Sequence, residues 1–226
     1  VDQIEKLASD EKPFFFAVGF GKPHLPFSAP KAFWDLYDRD SFSMPDNLGV
    51  PPGYPEYASL RRPGEMRVYS DVPPGHNPKD FPDEMNKRLI HGYLACVSYM
   101  DWNVGRVLDA LEASGAADNT IIVFWGDHGF KLGEHYSWCK HSVFETDTRV
   151  PLIVVDPRNN NAAGSTEALV ELIDLYPTLA ELCGLDAPTH LQGASFRPVL
   201  EDPDSPHRDF AYSSYPRRPK DDIIGH

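Results

Sequence analysis

The chain has 226 residues and 41% hydrophobic content, enough for a sizeable core, which excludes a disordered chain. Lys plus Arg number 21 against 34 Asp plus Glu, a net charge of −13 that disfavours non-specific contact with nucleic acid or an anionic membrane surface. No run reaches the ~18 consecutive apolar residues of a membrane span, and Cys96, Cys139 and Cys183 form no C-x-x-C pair that would signal a zinc ribbon or a redox motif.

In chain order, Ile4, Leu7 and Ala8 read as the end of an amphipathic helix, and the last residues, Ile223-Ile224-Gly225-His226, read as a strand beginning. Both ends read as cut, so a fragment is expected. Residues 12–20, KPFFFAVGF, are a continuous apolar run suited to a strand covered on both faces. The loop that follows is stiffened by Pro23 and Pro26 and holds His24 past the strand's carboxyl end, the rim where open α/β sheets bind ligands. A lone loop histidine is usually just exposed; His24 gains interest if this strand is a parallel neighbour of the strand at 121–125, because Asp127 then opens on the same rim. Residues 44–82 are punctuated by prolines without any period and predict a long, ordered excursion facing the substrate.

Asp83 can cap a helix running to about Ser114, with Leu89, Tyr93, Val97, Met100, Val104, Val107 and Leu111 as its apolar stripe and Gly115 as its stop. The Met and aromatic residues on that stripe are core, not a cofactor box. A helix leading into a buried strand is the βαβ pattern, so the expected fold is α/β with a mostly parallel sheet and right-handed crossovers.

Residues 121–141, IIVFWGDHGFKLGEHYSWCKH, concentrate the chemistry. A β-branched and aromatic run reads as a buried strand and breaks at Gly126, delivering Asp127 and His128 side by side. Glu134, His135, Trp138, Lys140 and His141 crowd the residues that follow. Taken alone, an Asp-His pair after a strand is more often a solvated turn than a metal site. Residues 149–155 give another apolar strand, residues 169–173 a short strand or helix lead-in, and Asp174 with Pro177 starts a helix that stops at Gly184. Residues 210–215 alternate enough to be a strand of a second, smaller sheet.

Seven blocks carry a resemblance: KPFFFAVGFGKPHLPF (12–27), SYMDWNVGRVLDAL (98–111), IIVFWGDHGFKLGEHYSWCK (121–140), RVPLIV (149–154), DLYPTLAELCGL (174–185), LQGASFRPVL (191–200) and AYSSYPR (211–217). In this order they resemble the sulfatases of the alkaline phosphatase superfamily, and most closely the iduronate-2-sulfatase-like members. The resemblance implies a three-layer α/β/α catalytic domain over residues 1–200 and the beginning of a small antiparallel C-terminal subdomain over 201–226. It implies that Asp127 and His128 bind a metal, His128 standing where many sulfatases have Asn. The metal implied is Ca2+, with Mg2+ or Zn2+ less favoured, although a nitrogen ligand is a departure for a hard cation.

His24 matches the family's Lys-Pro-His histidine, which contacts the sulfate and protonates the leaving alcohol, and Lys140 matches the lysine that contacts the sulfate. His135 and Trp138 could shape a sugar pocket or simply pack. The implied substrate is a sulfated saccharide. The implied nucleophile is a formylglycine made from Cys or Ser in a Cys/Ser-x-Pro/Ala-x-Arg motif, installed by the formylglycine-generating enzyme. None of the three cysteines stands in that motif, so the nucleophile is expected upstream of Val1 and the isolated chain is expected to be inactive. Family members are mostly exported, to the periplasm or the cell exterior, or lysosomal. The alternatives are a phosphoesterase or phosphonate hydrolase of the same superfamily, and a non-catalytic sugar-binding homologue.

Overall fold

The computed structural model describes residues 1–10, 12–55, 64–72, 80–159 and 164–215. Their elements are, in order, α1 (Asp2–Ala8), α2 (Lys31–Trp34), α3 (Asp83–Ala113), β1 (Ile122–Trp125), β2 (Lys131–Leu132), β3 (Trp138–Cys139), α4 (Glu145–Thr148), β4 (Leu152–Val155), α5 (Leu175–Leu182) and α6 (Arg197–Glu201), with short 3-10 turns between them. The described residues divide into two units, the first drawn from 1–117, 126–151 and Tyr215, the second from 118–125 and 152–214.

The first unit is built on α3. Asp83 and Glu84 in its first turn complement the positive end of the helix. Pro82 rather than Asp83 occupies the cap position, and no side chain caps it. The helix stops where predicted, because Gly115 adopts φ +73°, a left-handed conformation that costs glycine nothing. Leu89, Ile90 and Cys96 of α3 pack with Leu25, Phe27, Met66, Trp138 and Cys139 into one buried cluster, each large apolar side chain contributing roughly 1.5–3 kcal/mol. Of the predicted stripe, Leu89 and Leu111 are buried and the residues between them half-buried. A Cβ at Gly92 would lie 2.8 Å from Trp34 and 2.9 Å from Phe27, so glycine is what lets α2 and the 21–27 loop close onto α3.

In the second unit β1 and β4 pair antiparallel, Ile122 opposite Val155 and Trp125 opposite Leu152. The strand pairs among the described residues are both antiparallel, so they do not supply the mostly parallel sheet expected from the sequence. A parallel pair needs a crossover, usually an α-helix, whereas the stretch joining β1 to β4 holds the two-residue strands β2 and β3, themselves antiparallel, a three-residue 3-10 turn and the four-residue α4. A correction concerns residues 12–20, where the described residues carry no strand. An apolar run becomes a strand only with a neighbour to complete its ladder, and here Phe15 is 85% exposed. Residues 210–215 also carry no ladder, so the strand expected there is absent, while the strand expected at 223–224 lies outside the described residues. The helix predicted at Asp174 is present as α5, closed by Gly184 at φ +67°.

Candidate functional site

The site is assembled in the first unit from three segments that the sequence keeps far apart. The first is the loop after residues 12–20. Leu25 and Phe27 are buried at 5% and 7% exposure, which pins the loop while leaving the His24 side chain 48% exposed. The loop is closed from within: the His24 amide donates to the Gly21 carbonyl at 3.1 Å, and Lys22 Nζ donates to the carbonyls of Pro26 and His24 at 2.6 and 3.3 Å.

The second segment is the excursion between β1 and β4. Gly126 N–H donates to the Pro151 carbonyl at 3.1 Å and closes its base. Gly129 N–H donates to the Asp147 carbonyl at 2.8 Å, and a Cβ at Gly129 would lie 2.0 Å from the Thr146 oxygen. Beneath it Lys131, fully buried, donates to the Asp147 carboxylate, which also accepts from Ser142 Oγ at 2.6 Å. Burial lowers the Lys131 pKa while the Asp147 partner opposes that shift. A buried pair of this kind is weak as a source of net stability but costly to break singly, so it specifies the path of the excursion. His135, Tyr136 and Cys139 lie at φ +54°, +53° and +69°, non-glycine residues in the left-handed region, a strain held where a chain is over-determined by its surroundings. Trp138 and Cys139 of β3 are wholly buried. They present Lys140 as the next residue.

The third segment was not singled out in the sequence. In the turn Gly64–Val68, Met66 is 1% exposed in the core, and Tyr69 just after it accepts the Phe27 N–H at 2.6 Å. Those anchors carry Glu65 to Lys140. The Lys140 ammonium donates to Glu65 Oε1 at 2.6 Å and to His24 Nε2 at 3.1 Å. His141 Nε2 is 3.5 Å from Glu65 Oε2, and its Nδ1 is 3.1 Å from the Tyr215 hydroxyl.

Two of those partners assign the His24 tautomer. The Leu25 carbonyl, 2.7 Å from His24 Nδ1, can only accept, and an ammonium can only donate, so Nδ1 carries the hydrogen and Nε2 turns its lone pair to Lys140. Burial pushes the Glu65 pKa up, but the hydrogen bond and charge of Lys140, then the charges of His141 and His24, bring it net below the ordinary value. Burial and the neighbouring Glu65 push the Cys139 thiol up to about 12, and burial raises Cys96 as well. Neither is a nucleophile at neutral pH, since the thiolate is the reactive form.

Asp127 and His128 form a separate pair. Asp127, 86% exposed, accepts its neighbour's amide at 3.1 Å and stands 3.7 Å from His128 Nε2; His128 Nδ1 donates to the Gly129 carbonyl at 2.8 Å. Among the described residues no group of three or more His, Cys, Asp or Glu could hold a metal ion. The pair fits a metal as part of a shell: a hard carboxylate beside an imidazole whose Nδ1–H is held by the Gly129 carbonyl, the hydrogen bond that orients metal-binding histidines generally. A Ca2+ shell takes 6–8 oxygens, so Asp127 and His128 would need several further ligands. The structure thus joins two of the four predicted site residues, His24 and Lys140, into one cluster, and adds Glu65 and His141 to it. His141 was visible as part of a crowded loop. Glu65 had no local signal at all.

Comparison with known proteins places these residues in context. The sulfatase family model matches residues 1–185. The iduronate 2-sulfatase of Mus musculus is 36% identical over 265 aligned positions, covering 95% of this chain and 47% of the relative; the chain therefore spans about half the length of that relative. The phosphonate monoester hydrolase of Agrobacterium radiobacter superposes with a TM-score of 0.75 at 26% identity, over 98% of this chain and 45% of that one. A structure solved with its substrate, D-glucosamine-2-N,6-O-disulfate, superposes with a TM-score of 0.68 at 25% identity, over 88% of this chain and 50% of that one. These likenesses support an α/β fold of the alkaline phosphatase type.

Proposed function

The chain belongs to the sulfatase family, and from that premise we propose that the protein is a sulfuric ester hydrolase removing sulfate from a sulfated sugar, with iduronate-2-sulfatase-like character. The observation that carries the reading is the Lys140 ammonium, anchored by buried β3 and hydrogen-bonded to His24 Nε2. Such a pair can do both things an alkyl sulfate requires. Lys140, with His141 beside it, offsets the charge of the sulfuryl oxygens at a partly buried position. His24, once Nε2 takes up a proton in place of the hydrogen bond from Lys140, gives that proton to the strongly basic leaving alkoxide, a step typically worth about 10²–10⁴-fold. Asp127 and His128 are the residues that would hold a divalent cation, Ca2+ in this reading. Such an ion would add further stabilisation of developing oxygen charge.

The reading also calls for an oxygen nucleophile, a formylglycine installed by the formylglycine-generating enzyme. None of Cys96, Cys139 and Cys183 stands in its motif, and the first two are buried. An exported or lysosomal location belongs to the same proposal; among the described residues no helix is long and apolar enough to cross a membrane. The likeness to a phosphonate monoester hydrolase favours a second reading, a phosphonate or phosphate diester substrate at the same site.

The test is to assay the full-length protein for sulfate release from sulfated uronic acid and glucosamine saccharides, beside a phosphonate monoester. Sulfate release that falls at least 10²-fold in His24→Ala and Lys140→Ala supports the proposal. Faster turnover of the phosphonate selects the second reading, and no turnover of either leaves a binding protein.

A further inference from the structure

The proton donor of the proposed reaction has a cation beside it. Lys140 Nζ lies 3.1 Å from His24 Nε2, and a positive charge at that distance opposes a second one on the ring. The charged groups facing His24 are Lys140 of the excursion, Glu65 of the Gly64–Val68 turn with His141 on its far side, and Lys22 of its own loop, which is turned to the carbonyls of His24 and Pro26. Glu65 is the acid among them. Its Oε1 is 2.6 Å from Lys140 Nζ and 3.8 Å from His24 Nε2, and its Oε2, 3.5 Å from His141 Nε2, has no hydrogen-bond partner within ordinary distance among the described residues.

The carboxylate is placed by packing. Met66 beside it is locked in the core, and the Tyr69 hydroxyl ties the turn to the His24 loop by accepting the Phe27 N–H, with the two rings 5.9 Å apart. A carboxylate that served only to pair a surface lysine would need none of this.

We infer that Glu65 is a positioning residue of the reaction: it fixes the Lys140 ammonium and offsets its charge, so that His24 can hold the proton that the leaving alkoxide takes. The inference rests on the sulfatase reading. In the step it supports, an oxygen nucleophile forms a new bond to sulfur as the sulfur–alkoxide bond breaks. The electron pair of the broken bond stays on the sugar oxygen, and the Nε2 proton of His24 moves to that oxygen. His24 is about half exposed and takes its proton from water. Without Glu65 the Lys140 ammonium is neither held in place nor offset beside the ring that gives the proton.

This separates substrates by leaving group, which loss of folding would not do. The experiment compares full-length wild type, Glu65→Gln, His24→Ala and the double variant on a sugar sulfate, whose alkoxide needs the proton, and on 4-nitrophenyl sulfate, whose phenolate leaves without one. Glu65→Gln is expected to lose about 10²-fold or more in kcat on the sugar sulfate and less than about tenfold on the aryl sulfate. The double variant is expected to be no slower on the sugar sulfate than His24→Ala alone, because both changes remove one function. Glu65→Asp, which keeps the charge on a shorter arm, recovers part of the sugar-to-aryl ratio. Equal losses on both substrates, or losses that multiply in the double variant, overturn the inference. So does tighter inhibition of Glu65→Gln by inorganic sulfate with faster turnover, which would make Glu65 a competitor for the anion. A wild type that releases sulfate from neither substrate overturns the sulfatase reading and this inference with it.

Discussion

Two carboxylates in this protein are each surrounded by basic side chains, and they differ in what is left over. In the second unit Asp174 is fully buried. It accepts from Arg208 through both nitrogens of a fork, from the backbone N–H groups of Glu171 and Ala194 at 2.9 and 2.8 Å, and from His207 at 3.2 Å. Every lone pair has a donor, and Thr178 nearby bonds the Asp174 carbonyl and the Phe196 N–H. In the first unit Glu65 is 27% exposed, has no hydrogen-bond partner for Oε2 among the described residues, and faces a histidine that is half in water. A closed network orders chain segments and has nothing to offer a ligand, whereas an open one has charge to share. Burial and satisfaction, rather than the residue types, separate structure from site.

The sharpest way to break that comparison is to remove His24. His24→Ala is expected to cut turnover of sugar sulfates by the full-length protein about 10²–10⁴-fold, some 3–5 kcal/mol of barrier, while the urea unfolding midpoint stays put. A fall in the midpoint comparable to the loss of activity would make His24 a structural residue. Asp174→Ala should behave oppositely, costing about 3–5 kcal/mol in urea unfolding because His207 loses its carboxylate, Arg208 keeps only Glu171, and the Glu171 and Ala194 N–H groups lose their acceptor. Stability unchanged by that substitution would show the network to be dispensable.

Acid should find Asp174 as well. Burial alone would raise its pKa, but Arg208, the two backbone donors and His207 pull it down to about 2 from an ordinary 3.8. The folded pKa is the depressed one, so the contribution is present above about pH 4 and is lost as pH falls towards 2. It is on the order of 2 kcal/mol, and urea midpoints measured across that window in wild type and Asp174→Asn should converge at the acid end. Smaller again are the two tight approaches. A Cβ at Gly129 or at Gly193 would lie 2.0 Å from a backbone oxygen, of Thr146 and Ile173 respectively, so Gly129→Ala and Gly193→Ala should each cost about 1–3 kcal/mol, with Gly129→Ala alone also lowering activity. Least affected should be the stability of Glu65→Gln, changed by less than about 1 kcal/mol because the carboxylate is partly solvated. A larger drop in thermal unfolding would move Glu65 into the same class as Asp174.

Much of the local structure was legible. The stop at Gly115, the helix after Asp174 and its stop at Gly184 followed from glycine's freedom at positive φ and from the apolar period. The strands at 122–125 and 152–155 followed from β-branched runs. Their pairing did not, because strand direction depends on the connection, and the intervening residues gave no sign that their α-helix is only the four-residue α4. The strand expected at 12–20 failed for a related reason. Its composition is right, but a ladder is made with a partner and composition does not supply one.

For the site, the sequence by itself determined the chemistry of each group: an imidazole at 24 in a proline-stiffened loop, an ammonium at 140 after a buried Trp-Cys pair, a carboxylate and an imidazole side by side at 127 and 128. These are properties of residue type and of neighbours within a few positions, where backbone stereochemistry acts. Only the tertiary structure decided which of them meet. It brought Lys140 to His24 across 116 positions and Glu65 to Lys140 across 75, held the tautomer of His24 by one carbonyl and one ammonium, and left exposed Asp127 and half-buried His128 as a pair of their own. The reason is that contacts over such separations are fixed by which apolar side chains share a core, here Leu25, Phe27, Met66, Trp138 and Cys139, and the polar residues beside them are carried along.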